Sequence, residues 1–205
     1  MTKKEERRLL IKASARVLFI DKTIELTTFN QIAAKAGVGE ATVYRHYSNK
    51  GELALEIAID YAADYSDTLT MRIDASKGSH LDKFELVLDY FIELFNIKPD
   101  YFIYLEHFDN YVMHNDHKIV GVEVYEHYFL NISQSICDVD AGEVPDASVR
   151  KDVNIDMATH TFAVSYISLC QKLLLRGHIF GHDDRYHAEE SLNWMKSVML
   201  NSLKA

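Results

Sequence analysis

Proline, glycine and cysteine are scarce in this chain, which has two prolines, eight glycines and two cysteines among 205 residues. Few helix breakers, apolar residues three and four apart and the lack of strand-like alternation predict an all-α protein. Cys137 and Cys170 match no metal or redox spacing, so we expect free thiols in a reducing cytoplasm. No apolar run reaches the roughly 18 residues that cross a bilayer and no signal-peptide pattern is present, so we expect a soluble protein.

Motifs of enzyme active sites are also missing from the sequence. We find no nucleophile motif, phosphate-binding loop or reliable pair of carboxylates, so the sequence predicts neither an enzyme nor a cofactor. Two histidine groups have ligand types that zinc or nickel uses, namely His178, His182 and His187, and His114, Asp116 and His117. Because loop spacing alone is a loose signal and no cysteine assists, we predict no metal site.

Positive charge is scarce overall but concentrated at the N-terminus. Residues 1–50 (the head) have ten Lys and Arg against five Asp and Glu, a formal charge of +5. The remaining 155 residues (the body) have 12 against 26, a charge of −14, which gives the net −9. The negatively charged body repels a polyanion, so a polyanionic partner can bind only to the head.

The apolar spacing predicts nine helices and two domains. Capping boxes are expected at Thr28-x-x-Gln31 and Asn49-x-x-Glu52. In the first helix, Leu10, Ala13, Val17, Leu18 and Phe19 are expected to face the core. We predict an N-terminal three-helix domain, residues 1–48, and a six-helix domain for ligand binding and dimerisation, residues 49–205. The helices are expected at about residues 4–21, 29–36, 40–46, 49–71, 81–97, 99–114, 118–137, 149–176 and 184–203.

The segment from Gly37 to Lys50 predicts a helix-turn-helix unit. Gly37 is expected to end the second helix in the left-handed conformation, and the apolar side chain of Val38 is expected to fill the tight turn that follows. The third helix then enters the major groove with Val43 packed inward. Arg45 is the best candidate for reading a base, because its guanidinium can contact guanine with two hydrogen bonds. Residues expected to face outward are Glu40, Ala41, Thr42, Arg45 and His46, and Thr42, Tyr44, Tyr47 and Lys50 are expected to anchor phosphates.

The stretch LFIDKTIELTTFNQIAAKAGVGEATVYRHYSNKGEL resembles the DNA-binding domain of TetR-like transcriptional regulators over about residues 8–55. The resemblance implies an all-α homodimer with a ligand-binding C-terminal domain, whose last two helices form a four-helix bundle with those of the partner. It also implies DNA-contacting positions. Those that match phosphate-contacting positions are Thr28, Thr42, Tyr44, Tyr47 and Lys50; those that match positions near bases are Glu40, Ala41, Arg45 and His46.

Three residues depart from the pattern of that family. Thr23 stands where a glycine usually ends the first helix. Gly39, which we include among the DNA-binding residues, replaces the usual serine or threonine cap of the recognition helix and is a weaker cap by a few tenths of a kcal/mol. Glu40 repels phosphate unless it accepts a hydrogen bond from a cytosine amine.

Aromatic residues are frequent in the body and predict a pocket for a flat or apolar effector. Buried tyrosines need a partner for the hydroxyl, which makes them a costly way to fill a core. Neighbouring acids, Glu106, Asp109 and Glu126, also suit a cationic effector. The candidate lining residues are Tyr104, Phe108, Tyr111, Tyr125, Phe129, Phe162 and Tyr166.

The sequence therefore predicts a repressor that binds a palindromic operator as a dimer and is released by a small amphipathic or aromatic effector. Apolar residues on more than one face of the last two helices favour dimerisation there. Three alternatives stay open: activation instead of repression, a body that recruits a protein partner, and an enzyme with an incidental helix-turn-helix.

Overall fold

The all-α prediction is confirmed by the computed structural model, which describes residues 2–115, 119–121, 123–125, 127–128, 146–176 and 185–205, without the side chains of residues 185 and 186. Eight helices lie within these ranges, and the only β-type pairing among the described residues is an isolated bridge. No helix in these ranges is both long and apolar enough to span a bilayer. The helices are α1 (Lys3–Lys22), α2 (Phe29–Ala36), α3 (Glu40–His46), α4 (Lys50–Ala75), α5 (His80–Ile97), α6 (Pro99–Asn115), α7 (Ile155–Arg176) and α8 (Arg185–Leu203).

The helices form two compact units. The first contains residues 1–62 and 103–126, and the second contains residues 63–102 and 127–205. In the first unit α1 packs on α2 and α2 on α3; in the second, α5, α7 and α8 contact one another. The domain boundary predicted between residues 48 and 49 lies within the first unit. The division into a DNA-binding domain and a ligand-binding domain at that point stays a prediction.

The capping boxes agree with the sequence at one helix and differ at another. At α2, Thr28 Oγ1 accepts from the Gln31 amide at 3.3 Å, and Gln31 Oε1 accepts from the Thr28 amide at 3.0 Å, as predicted. At α4, Asn49 Oδ1 accepts from the Glu52 amide at 2.9 Å. The Glu52 carboxylate, however, bonds the amide and hydroxyl of Ser48, at 2.7 and 2.8 Å. The Glu52 carboxylate accepts two hydrogen bonds from Ser48, whereas the predicted capping box would give it only one, from the backbone amide of Asn49.

The inner face of α1 is rotated from its predicted position. Phe19 is fully buried and Leu18 half-buried, as expected, but Leu10, Ala13 and Val17 are exposed. Ile11, Ser14 and Ala15 form the buried face instead. Because apolar residues occur on nearly every side of this helix, periodicity alone does not determine which face contacts α2.

Two other predicted helices begin later than expected. Residues 119–121 form a turn in which Gly121 has φ +95°, so the helix predicted from Lys118 does not start there; most of its predicted length lies outside the described residues. The helix predicted from Val149 begins at Ile155. Val149 pairs with Lys204 in an isolated antiparallel bridge, and the Arg150 amide donates to the Leu203 carbonyl at 2.9 Å. This extended pairing excludes a helical backbone there.

Candidate nucleic-acid interface

A tight turn at Gly37 joins α2 to α3. Gly37 has φ +68° and ψ +30°, the left-handed conformation predicted for it. The amide of the next residue, Val38, donates to the Ala33 carbonyl at 3.0 Å. This bond satisfies a carbonyl at the end of α2 and reverses the chain, so that only three residues lie between α2 and α3.

Helix α3 has one buried side and one exposed side. Val43 is fully buried, whereas Glu40, Ala41, Tyr44 and Arg45 are exposed. Thr42 and His46 are half-buried. The side predicted to face outward is therefore at the surface of the first unit.

Local contacts hold the exposed side chains of α3. The Arg45 guanidinium donates to Thr42 Oγ1 at 2.8 Å, and the Asn30 side-chain Nδ2 donates to the Glu40 carboxylate at 3.4 Å. The Tyr44 ring meets the Phe29 ring edge-on, with centroids 4.9 Å apart, and stays 58 % exposed. These contacts reduce the rotamer freedom that the side chains lose on binding a partner.

The residues that cap α2 and α3 and the histidine at the end of α3 have different hydrogen-bonding and charge environments. Thr28 is exposed, but its hydroxyl oxygen accepts from the Gln31 amide. Gly39 caps α3 without a side-chain hydrogen bond, and there is open space around its Cα. At the other end, burial and the positive charges of Lys4 and Arg8 lower the pKa of His46. The lowered pKa favours the neutral imidazole.

Tyr47, which was predicted to contact a phosphate, is fully buried. The Arg8 guanidinium lies 5.3 Å from the centre of its ring. Arg8 also forms a two-bond ion pair with Glu56, at 2.7 and 3.3 Å. Burial raises the pKa of Tyr47, as does the nearby Glu56 carboxylate. In this position the ring is part of the contact between α1 and α4 and has no surface for a phosphate.

Lys50, predicted to anchor a phosphate, is bonded within the protein. Its ammonium group donates to the backbone carbonyls of Ile24, Glu25 and Thr27 at 2.7, 2.8 and 2.9 Å. The ammonium group has three N–H donors, and these three bonds use all of them. Burial lowers the pKa of Lys50, although the nearby Glu25 opposes this. In this structure the side chain fastens the loop between α1 and α2 to the start of α4.

Comparison with known proteins agrees with this geometry. The sequence model of the family described as "Bacterial regulatory proteins, tetR family" matches residues 11–57, which contain the α2–turn–α3 unit. The resemblance to tetR-family regulators predicted from the sequence is confirmed over these residues. An HTH-type transcriptional regulator from Staphylococcus aureus (strain bovine RF122 / ET3-1) is 24% identical over 170 residues, 62% of this chain and 92% of that protein.

Solved structures of tetR-family regulators share the fold over nearly the whole chain. A TetR family transcription regulator from Marinobacter aquaeolei VT8 gives a TM-score of 0.67 at 18% identity, covering 100% of this chain and 99% of that one. The transcriptional regulator FadR from Bacillus subtilis, in complex with stearoyl-CoA, gives 0.66 at 15% identity, covering 95% and 98%. The predicted arrangement, an N-terminal helix-turn-helix domain followed by a helical domain, is confirmed.

The residues predicted to line an effector pocket fall in both units. In the first unit the Tyr104 hydroxyl donates to the Ala54 carbonyl at 2.7 Å, and the Phe108 ring lies between those of Tyr104 and Tyr125, at 6.3 and 5.3 Å. Tyr111, which is also buried, belongs to the same unit.

In the second unit, the Phe162 ring lies 6.0 Å from that of Phe84, and the Tyr166 hydroxyl donates to the Leu192 carbonyl at 3.0 Å. Phe129 lies outside the described residues.

A second group of rings was missed by the sequence reasoning. Tyr65 stacks on Tyr90, Phe91 and Tyr101 in the second unit, with centroids 5.4, 5.5 and 5.9 Å apart. The tyrosines at 61 and 65, four residues apart on α4, were the available signal, since such a pair shares a helix face.

No group of three or more His, Cys, Asp or Glu side chains suited to a metal ion occurs in the described part of the chain. His114 Nδ1 bonds the Asn110 carbonyl at 2.8 Å, and His187 lies 3.4 Å from Glu190. Asp116, His117, Glu126, Cys137, His178 and His182 lie outside the described residues. Cys170 is a buried free thiol, and burial raises its pKa to about 12.

Proposed function

We propose that this protein is a ligand-responsive transcriptional repressor of the tetR type that binds a near-palindromic operator as a homodimer. The exposed side of α3 supports this most directly, because it presents Tyr44 and Arg45 while Val43 on the other side is fully buried. A short helix held this way after a tight turn fits the major groove of DNA. The head, with a charge of +5, attracts phosphates.

The exposed residues of α3 and its flanks divide into base-reading and phosphate-anchoring groups. Arg45 reads a base, with Glu40, Ala41 and His46 beside it, and Glu40 accepts from a cytosine amine. Thr28, Thr42 and Tyr44 offer hydroxyl groups to phosphates, and the open space at Gly39 lets the backbone come close to DNA. Tyr47 is left out of this set because it is buried, and Lys50 because its donors are occupied.

Homodimerisation is proposed through α7 and α8 of the second unit. Met157 and Val164 are exposed on α7, and Trp194 and Val198 are exposed on α8; Trp194 is 67% exposed. Each pair is seven or four residues apart and so shares a helix face. A second copy of the chain covers such faces with two-fold symmetry and places two α3 helices one turn of DNA, roughly 34 Å, apart.

An effector of amphipathic or aromatic character is proposed to release the operator. Among the predicted lining residues, Tyr125 and Phe162 are half-buried, so their rings keep surface that a ligand can contact, whereas Tyr104, Phe108 and Tyr166 are fully enclosed. FadR from Bacillus subtilis was crystallised with stearoyl-CoA, which makes long-chain acyl-CoA a reasonable first compound to test. The effector must bind the released conformation more tightly than the DNA-bound one.

Selection of duplexes from random-sequence DNA tests the proposed function. At low ionic strength the protein should recover fragments that share a near-palindrome, and a compound library should then release one of them. Tyr125→Ala and Phe162→Ala identify which unit binds the effector, since only one of these changes should abolish release. Failure to recover any common sequence contradicts the proposal. An operator complex that no compound releases favours instead a body that recruits a protein partner.

A further inference from the structure

The loop between α1 and α2 contains an unusual backbone conformation at Thr23. Its φ and ψ are +74° and +163°, and it is the one residue other than glycine with positive φ among the described residues. This region of conformational space is essentially restricted to glycine, because a Cβ atom meets the neighbouring backbone. A residue held there is strained, and the surrounding structure must hold it in place.

Two sets of hydrogen bonds oppose that strain. The first is internal to the loop, where the buried Thr27 hydroxyl donates to the Thr23 carbonyl at 2.7 Å. The second comes from α4, where the Lys50 ammonium group donates to the carbonyls of Ile24, Glu25 and Thr27 at 2.7 to 2.9 Å. Charged donors make stronger hydrogen bonds than neutral ones. Lys50 therefore contributes the larger part of the restraint.

The clamped loop leads directly into a segment that faces DNA in the proposed function. Thr27, whose carbonyl accepts from Lys50, is followed by Thr28, the N-cap of α2. Helix α2 in turn packs on α3. A shift of the loop therefore moves Thr28 and the start of α2, and α2 supports the helix that presents Arg45.

We propose that Lys50 is a positioning residue that clamps the strained 23–27 loop to α4 and thereby sets the place of Thr28 and α2, and that it does not contact a phosphate. This inference rests on the proposed function for its effect on DNA binding. The clamp itself stands on the structure of the first unit alone.

The Lys50→Met variant keeps the length of the side chain and removes its charge and donors. It therefore distinguishes a Lys50 that restrains the loop from a Lys50 that contacts a phosphate. The clamp predicts operator binding about 10-fold weaker, a Tm lower by several degrees, and an unchanged slope of log K against log salt concentration. A phosphate contact predicts a slope smaller by about 0.9. That smaller slope overturns the proposal, and so does an unchanged Kd and Tm.

Thr23→Gly provides a rescue that no phosphate contact predicts. With glycine at position 23 the loop conformation is unstrained, so it should persist without the clamp. The Thr23→Gly, Lys50→Met double variant should recover most of the lost operator affinity and Tm. The Thr23→Ala, Lys50→Met double variant removes the threonine hydroxyl but keeps the Cβ atom, so it should recover neither the operator affinity nor the Tm. Equal behaviour of the two double variants overturns the proposal.

Failure of the clamp and failure of the proposed function are distinguishable in this experiment. If the wild-type protein binds no duplex, the DNA-binding proposal fails. The Tm values of the same variants still decide whether Lys50 restrains the strained loop.

Discussion

The Nδ1 atom of His107 lies 2.7 Å from the backbone carbonyl oxygen of Phe19, a contact that joins α6 to the last turns of α1. A carbonyl oxygen only accepts hydrogen bonds, so Nδ1 carries a proton and donates it to this contact. The same carbonyl accepts from the Thr23 amide at 3.0 Å. This contact fastens α1, within the first unit, to the helix that also bonds α4 through Tyr104.

Replacement of His107 tests this contact. His107→Leu should lower the free energy of unfolding by about 1 kcal/mol, a modest amount because the Phe19 carbonyl keeps the Thr23 amide as a partner. His114→Leu is the matched control, since its Nδ1 bonds a carbonyl of its own helix at an exposed position. It should change stability by less than about 0.5 kcal/mol. Urea unfolding measures both, and equal losses would contradict the interhelical role.

Two glycines flank the turn of the helix-turn-helix, and only one needs its freedom. Gly37 and Gly39 both have open space for a Cβ atom, but Gly37 has φ +68° and Gly39 has φ −74°. Gly37→Ala should therefore cost about 1–2 kcal/mol. Gly39→Ser should stabilise α3 by a few tenths of a kcal/mol, because serine adds a cap. Thermal unfolding of the two variants should show opposite shifts in Tm; a Gly37→Ala variant as stable as the wild type would refute the assigned turn.

Glu56 should make stability dependent on pH. Burial alone would raise its pKa, but hydrogen bonds from Arg8 and Lys12 outweigh that effect and lower the pKa. A carboxylate with a lowered folded-state pKa contributes stability above its unfolded pKa of about 4.3, and this is lost as pH falls through the folded pKa.

The Glu56→Gln variant isolates that contribution. At pH 7 the change should cost about 1–2 kcal/mol, because it removes the acceptor of Arg8 and Lys12. The difference from the wild type should shrink below pH 4. Asp152→Asn is the control, because the Arg150–Asp152 pair is exposed and local; its effect on Tm should be too small to detect. A pH-independent loss in the Glu56 variant would rule out the ionic role.

The sequence was sufficient for the elements whose signals are local. The Thr28 capping box needs two residues three apart, and the turn needs a glycine at position 37. Both are satisfied within a few residues, so no distant contact can override them. The buried side of α3 follows from Val43 alone.

Features set by distant contacts were not predictable in the same way. Tyr47 carries a hydroxyl suited to phosphate, yet its burial follows from Arg8 and Glu56, which are 39 and 9 residues away. Lys50 has a charge suited to DNA, but its partners are carbonyls more than 20 residues earlier. The start of α7 depends on pairing with the C-terminus. Asn154, whose side chain accepts from the Met157 amide at 3.1 Å, was a local signal for that start that was overlooked.

The proposed dimer interface is tested by adding charge to it. Trp194→Glu should convert a dimer into a monomer, because a carboxylate cannot be buried without a partner at an apolar interface. Met71→Glu is the control, since Met71 is equally exposed, at 66% against 67%, but lies on α4. Sedimentation velocity gives the mass of each. A wild-type monomer, or dissociation of both variants, would contradict dimerisation through α8.

Duplex binding by the Arg45→Ala variant tests most directly whether the exposed side of α3 reads DNA. Fluorescence anisotropy with the selected operator should show binding weakened about 10-fold or more, with less discrimination against changed bases. Arg150→Ala, an exposed arginine of the second unit, should bind as the wild type does. Equal operator affinity of the two variants, or a wild-type protein that binds no duplex at low ionic strength, would contradict the proposed interface.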